Sequence, residues 1–262
     1  MKILLTNDDG IHAEGLWALH AQLARRHEVT VIAPDRERTA VSHGITLHLP
    51  LRAGPVVLNG GCCGIAVNGT PADCVKLGIL EILKAKPDLV VAGLNPGANV
   101  GVNIAYSGTV AAAKEAALAG IPAIAASMEG GGPYAYEAAA AFVVDLADLL
   151  LRRGLHVGTF LNVNFPNVPP EEIAGVRISR HGLETFPETM EKRVDPRNRA
   201  YYWQGVDRQT FGGDPDVDGA ALRRGFISIT PIHCDMTDYR VLEDLKGWGI
   251  AVNSQDAVRT AP

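Results

Sequence analysis

Strand-like and helix-like segments alternate from Lys2 to Ala126, and this alternation constrains the fold more than any other feature of the chain. Lys2–Thr6 predicts a first strand. Ala13–Arg26, with Leu16, Leu19 and Leu23 at helical spacing, predicts a helix. Glu28–Ala33 predicts a second strand, closed by Pro34-Asp35. Leu47–Leu58 is less regular and predicts short strands around Pro50 and Pro55. Thr70 suits an N-cap and Pro71 the first helical position of a helix reaching Lys84, with Val75, Ile79, Ile82 and Leu83 inward. Then come a strand at Asp88–Ala92, a small-residue helix at Ser107–Leu118 and a strand at Ile121–Ala126. A long helix at Tyr134–Arg152 and a strand beginning at Phe160–Val163 continue the pattern. Such a series predicts an α/β fold, a Rossmann-like parallel sheet with helices on both faces. Right-handed crossovers place the strand C-termini on one edge, where ligands of such folds bind.

Beyond residue 165 the character changes. Residues 180–224 are rich in charge, Pro, Gly and aromatics, as in Arg180-His181-Gly182, Phe186, Tyr201-Tyr202-Trp203 and Asp214-Pro215-Asp216. This predicts an extended hairpin or small β lobe. Gly225–Thr230 predicts a strand returning to the body, and Asp238–Gly247 a short last helix. The expected division is a catalytic α/β domain over 1–165 and a C-terminal extension over 166–262 that completes it.

A net charge of −5 gives no basic footprint, which argues against a nucleic-acid partner. No apolar run is long enough for a membrane span. Cys62, Cys63, Cys74 and Cys234 contain no C-x-x-C pair and make a poor disulfide framework. A reduced, cytoplasmic compartment is expected. Met1-Lys2 enters a strand at once, which predicts that no signal peptide precedes it.

Chemistry concentrates after the strands. Asp8 and Asp9 come soon after Ile3-Leu4-Leu5, with Gly10 next. Neighbouring side chains on a strand point to opposite faces, so the two carboxylates converge only if the chain is already turning. Like charges held close repel unless a cation or a shared proton relieves them. One aspartate capping the next helix is the rival reading. The doubled carboxylate at a strand end favours a divalent cation held by hard oxygen, Mg²⁺ or Mn²⁺, with Ca²⁺ as another occupant.

Three further loops share that sheet edge. Gly93–Gly101 supplies Asn95, whose carbonyl can complete a metal shell, and Asn99, suited to a phosphate oxygen or to orienting a ligand. A turn-rich loop alone would have the same composition. Ser107-Gly108-Thr109 opens a helix and offers N–H groups, hydroxyls and the positive dipole end to an anion. An N-cap serine is the plainer reading there. Asp35–His43 brings Thr39 and Ser42 within reach of a metal or its phosphate ligand. Neither a P-loop nor a dinucleotide fingerprint is present. Carboxylates, an amide, hydroxyls and an anion-binding helix end together indicate metal plus phosphate.

With these motifs assembled, the chain closely resembles the SurE family of survival proteins, which are metal-dependent nucleoside monophosphate phosphatases. The matching pieces are Ile3–Gly10, Ala33–Arg36, Asn68–Pro71, Gly93–Gly101, Tyr106–Thr109 and Thr230–Ile232 with Asp235. The resemblance implies a 5′-nucleotidase acting on nucleoside 5′-monophosphates, with 3′-nucleotides and short polyphosphate as side substrates. It implies one divalent cation per subunit, bound by Asp8, Asp9, Thr39 and Asn95. Thr39 departs from the family's serine, and Ser42 is the alternative hydroxyl. The resemblance also implies a homodimer or homotetramer with exchanged C-terminal segments.

In the expected division of roles, Ser107, Gly108 and Thr109 hold the phosphate in line, Asp9 is general base or nucleophile, and Asp8 is chiefly a ligand. Water attack and an aspartyl-phosphate intermediate both remain open. The rival functions are a nucleotide-sensing binding protein without turnover and another sugar-phosphate enzyme on a similar sheet. His43, His181 and His233 are expected to bond or pack before serving catalysis. Tyr201, Tyr202 and Trp203 suit a subunit interface better than base stacking.

Overall fold

A computed structural model describes residues 1–57, 61, 63–183, 188–206 and 213–250. In chain order its elements are β1 (Lys2–Thr6), α1 (Glu14–Leu23), β2 (Glu28–Pro34), β3 (Ala53–Val57), β4 (Cys63–Val67), α2 (Pro71–Leu77), β5 (Leu89–Asn95) and α3 (Gly108–Leu118). Then come β6 (Ala123–Met128), α4 (Tyr136–Arg153), β7 (Thr159–Phe165), β8 (Gly175–Ile178), β9 (Glu188–Val194), β10 (Ala200–Val206), α5 (Asp218–Arg223), β11 (Phe226–His233) and α6 (Tyr239–Lys246). Cys62, Phe186 and Leu58 lie outside the described residues, as does the end of the C-terminal extension from 251 to 262.

Nine strands form the main sheet in the order β3-β4-β2-β1-β5-β6-β7-β11-β8. From β4 to β7 every pairing is parallel, and β8 lies parallel to β11. Two pairings depart from an all-parallel sheet. β3 runs antiparallel to β4, to which a short connection joins it, and β11 returns antiparallel to β7.

Strand period explains why both faces are dry. Ile3 and Leu5 enter the core beneath α1 and α4, while Leu4 enters the opposite core beneath α2 and α3. Leu89 and Val91 of β5 join the first core, and Val90 and Ala92 the second. With helices on both faces, a buried strand reads as one continuous apolar run. Leu4→Ala would cost about 2–5 kcal/mol by opening a cavity.

Thr70 caps α2 as expected. Its hydroxyl accepts from Asp73 N–H, and Asp73 accepts from Thr70 N–H, a reciprocal capping box. The helix expected to reach Lys84 changes at Gly78, where Gly78–Ile82 winds as a π turn closed by Leu83 N–H on the Gly78 carbonyl. β4, β8 and α5 are elements that the sequence does not announce, each being a short segment inside irregular sequence. β9 and β10 pair as an antiparallel hairpin of their own, outside the main sheet. No helix among the described residues is long and apolar enough to cross a membrane.

Candidate active site

The site begins where β1 ends. Asn7 turns the chain by donating its side-chain amide to the Gly10 carbonyl at 3.0 Å. Gly10 has φ +99, and a Cβ there would stand 2.9 Å from the backbone carbon of Arg36. Glycine is therefore needed for conformation and for the close approach of the segment after β2. That segment is tied down by Arg38 N–H on the Asp8 carbonyl at 2.7 Å and Ile11 N–H on the Pro34 carbonyl at 2.8 Å.

Asp8 is buried and bonded to α3. The Thr109 hydroxyl donates to its Oδ1, and the Thr109 backbone N–H also supports the carboxylate. A Cβ on Gly108 would meet Asp8 Cβ at 2.8 Å, so helix and strand end touch only because residue 108 has no side chain. Ser107 is the N-cap, its Oγ accepting from Val110 N–H at 3.1 Å. The first turn of α3 thus touches Asp8 through Gly108 and bonds it through Thr109.

Asp9 is in a different condition. Its Oδ2 is buried without a hydrogen-bond partner. Burial, then the charges of Asp8 and Glu37, push its pKa up to about 7. Burial also raises Asp8, against the lowering effect of its Thr109 bonds. Two adjacent carboxyls, one of them orphaned and both driven toward the neutral form, need either protons or a cation. Among the described residues no three His, Cys, Asp or Glu side chains cluster in metal-binding fashion. A cation here would take the aspartate pair and be completed by neutral oxygens and water, a donor set for a hard divalent ion. The orphaned Asp9 oxygen fits that requirement.

The expected neutral donors lie at or after other strands of the sheet. Asn95 closes β5 and gives its amide nitrogen to the Gly97 carbonyl at 2.5 Å, so only its carbonyl oxygen can serve a cation. Thr39 is exposed and donates its hydroxyl to Glu37 Oε1 at 2.5 Å, leaving lone pairs on its oxygen. Ser42, the alternative hydroxyl, donates instead to the Ala105 carbonyl at 2.8 Å.

Asn99 is used inside the fold. Its amide nitrogen donates to Ser127 Oγ at 2.7 Å and its backbone N–H to Asn164 Oδ1 at 2.8 Å. Its carbonyl accepts from Asn162 at 2.8 Å and from Asn164 at 3.2 Å. This buried network clamps the loop after β5 onto β6 and β7. The histidines are likewise engaged. His43 meets Glu115, His181 meets the Gly101 carbonyl at 2.9 Å, and His233 Nδ1 accepts from Asp235 N–H at 3.2 Å. Tyr201, Tyr202 and Trp203 stand exposed on the hairpin.

Several contributors are not singled out by sequence. Glu37 lies close enough to act on both aspartates, but its sequence signal is only one charge in a charged loop. Asn162 and Asn164 sit two apart on β7, hence on one face, and polar residues on a buried strand face could have flagged them. Asp218 is buried and accepts the backbone N–H groups of Gly101, Gly182 and Gly219, joining the extension to the turn ahead of α3.

Comparison with known proteins points to one family. The family model described as survival protein SurE matches residues 3–188. The chain is 59% identical over 252 residues to a protein named 5′-nucleotidase SurE from Desulfatibacillum aliphaticivorans, covering 95% of this chain and 99% of that one. It is 50% identical over 254 residues to a protein of the same name from Geotalea uraniireducens, covering 95% and 100%. The crystal structure of SurE protein from Aquifex aeolicus superposes with a TM-score of 0.82 at 38% identity, covering 94% of this chain and 99% of that one.

Proposed function

The chain belongs to the survival protein SurE family, and we propose that it is a 5′-nucleotidase, a metal-dependent phosphatase releasing phosphate from nucleoside 5′-monophosphates. The observation that carries this reading is the orphaned Asp9 oxygen beside Asp8, on the first turn of α3. Asp8, Asp9 and the Asn95 carbonyl would hold one divalent ion, Mg²⁺ or Mn²⁺, with Thr39 or Ser42 supplying a hydroxyl oxygen. Held by these residues, such an ion would supply Lewis acidity toward the phosphoryl oxygens.

The rest belongs to the chain's own groups. Ser107 and Gly108, with the positive end of α3, keep the phosphate oriented for in-line displacement. Thr109 holds Asp8 in place. Asp9, with an oxygen unspent inside the fold, is the residue able to take a proton from an attacking water or to attack phosphorus itself. Nucleoside 3′-monophosphates and short polyphosphate present the same terminal phosphate and are proposed as further substrates.

Assembly as a homodimer or homotetramer, with C-terminal exchange, is part of the proposal. It is supported by α6, whose Tyr239, Leu242 and Leu245 share one face and are partly open to solvent, and by the exposed aromatics of β10. A cytoplasmic setting is supported by the free cysteines Cys63, Cys74 and Cys234. The test is phosphate release from a panel of nucleotides with Mg²⁺, Mn²⁺, Ca²⁺ and chelator. Binding of nucleotides without turnover under every metal would replace the enzyme by a sensor.

A further inference from the structure

We propose that His43 is a positioning residue, latching the hydroxyl-bearing loop after β2 onto α3 through Glu115. The inference rests on the metal reading above, in which Thr39 or Ser42 faces the cation. The loop that carries both hydroxyls is held in an unfavourable shape. Ala40 has φ +56 and Ser42 φ +54, left-handed conformations that non-glycine residues keep only when their surroundings hold them. Ser42 is secured by its N–H on the Tyr106 carbonyl at 2.9 Å and its hydroxyl on the Ala105 carbonyl.

His43 adds the side-chain fastening. Its Nε2 lies 2.9 Å from Glu115 Oε2, and the other oxygen of Glu115 takes Lys76 Nζ of α2 at 3.0 Å. His43 and then Lys76 hold the Glu115 carboxyl below its usual range, so it is ionised and can only accept. The hydrogen between the two therefore sits on His43 Nε2. Glu115 lies two turns along the helix whose first turn holds Asp8 through Thr109. One rigid helix thus fixes the aspartate and the hydroxyl loop in the same frame, as outer contacts fix the ligands of metal sites.

The chain beyond the loop is anchored separately. Thr46 bonds Asp73 through its N–H at 3.0 Å and its hydroxyl at 2.6 Å, and Thr70 Oγ1 donates to the Gly44 carbonyl at 2.7 Å. Removing the imidazole should loosen the segment 39–42, leaving it to the Ser42 bonds with Ala105 and Tyr106, while Gly44 and Thr46 stay in place.

The experiment is calorimetric titration of metal-free protein with Mn²⁺ for the wild type, His43→Ala, His43→Gln and Glu115→Ala, beside thermal unfolding in chelator and AMP turnover. Glutamine places an N–H near the position of Nε2. The expected result is weaker Mn²⁺ binding in His43→Ala by about 10-fold or more, the range for outer-contact losses at metal sites. His43→Gln should recover most of that affinity, and unfolding in chelator should change little. Glu115→Ala, which deletes the acceptor, should weaken binding as His43→Ala does, and it decides the matter if His43→Ala does not fold. Wild-type affinity in His43→Ala or in Glu115→Ala would overturn the latch, as would equal losses in His43→Gln and His43→Ala. If the wild type binds no Mn²⁺, the metal reading fails and the latch with it. If it binds Mn²⁺ and hydrolyses AMP while His43→Ala does both normally, only the latch fails.

Discussion

Thr109, at the start of α3, donates its hydroxyl to Oδ1 of Asp8, at the end of β1, across 101 residues of sequence. The bond fixes a helix N-terminus to a carboxyl proposed to bind metal, and Gly108 makes the approach sterically possible.

Thr109→Val keeps the shape of that contact and deletes the donor. A buried acceptor left unsatisfied costs about 1–3 kcal/mol. Urea unfolding should show a lower midpoint for Thr109→Val, while Thr109→Ser keeps most of the wild-type value. An unchanged midpoint in the valine variant would mean that the contact carries no stability.

Metal-free protein should lose stability as pH rises. The Asp9 carboxyl is pushed from 3.8 up to about 7 in the folded state. The folded chain therefore keeps a proton that the unfolded chain gives up above 3.8, and stability falls between that pH and about 7. Asp8, also raised, acts in the same direction. Thermal scans in chelator should show a lower Tm at about pH 8 than at about pH 5 from this pair, and Mn²⁺ should raise Tm more at the higher pH. Equal Mn²⁺ shifts at both values would contradict the coupling.

Glu37 raises both aspartates through its charge and holds the Thr39 hydroxyl. Glu37→Gln should therefore ease proton loss from Asp9 in metal-free protein, lessening the pH dependence above. It should also weaken Mn²⁺ binding several-fold by removing nearby negative charge. Calorimetry reads the second effect, and tighter Mn²⁺ binding in the variant would refute it.

Much of this was legible in the sequence because the relevant signals are local. A continuous apolar run marks a strand covered on both faces, and β1 and β5 carry one. Thr70-Pro71 announced α2 because a cap and a first-turn proline are neighbours in sequence. What stayed hidden depends on contacts between distant segments. Nothing near Asn99 reveals that Ser127, Asn162 and Asn164 will absorb its polar groups. Likewise nothing in Ser107-Gly108-Thr109 shows that the Thr109 hydroxyl will bond Asp8. Short edge elements such as β8 and α5 lack the length over which periodicity becomes readable.

Asn164→Ala tests the hidden network. It leaves the buried N–H of Asn99 without its acceptor and should cost about 1–3 kcal/mol, with further loss if the loop after β5 repacks. Urea unfolding measures the cost. A variant as stable as wild type would show that the loop does not depend on this clamp.

In the proposed reaction the Asp8–Asp9 pair binds a divalent cation and uses it to hydrolyse a nucleotide phosphate. The most direct measurement is phosphate release from AMP by chelator-treated protein, before and after Mn²⁺, in wild type and in Asp9→Asn. The expected result is release only after Mn²⁺ in the wild type, and a severe loss in Asp9→Asn even where calorimetry shows the metal bound. Release without metal, or normal turnover by metal-loaded Asp9→Asn, would contradict it.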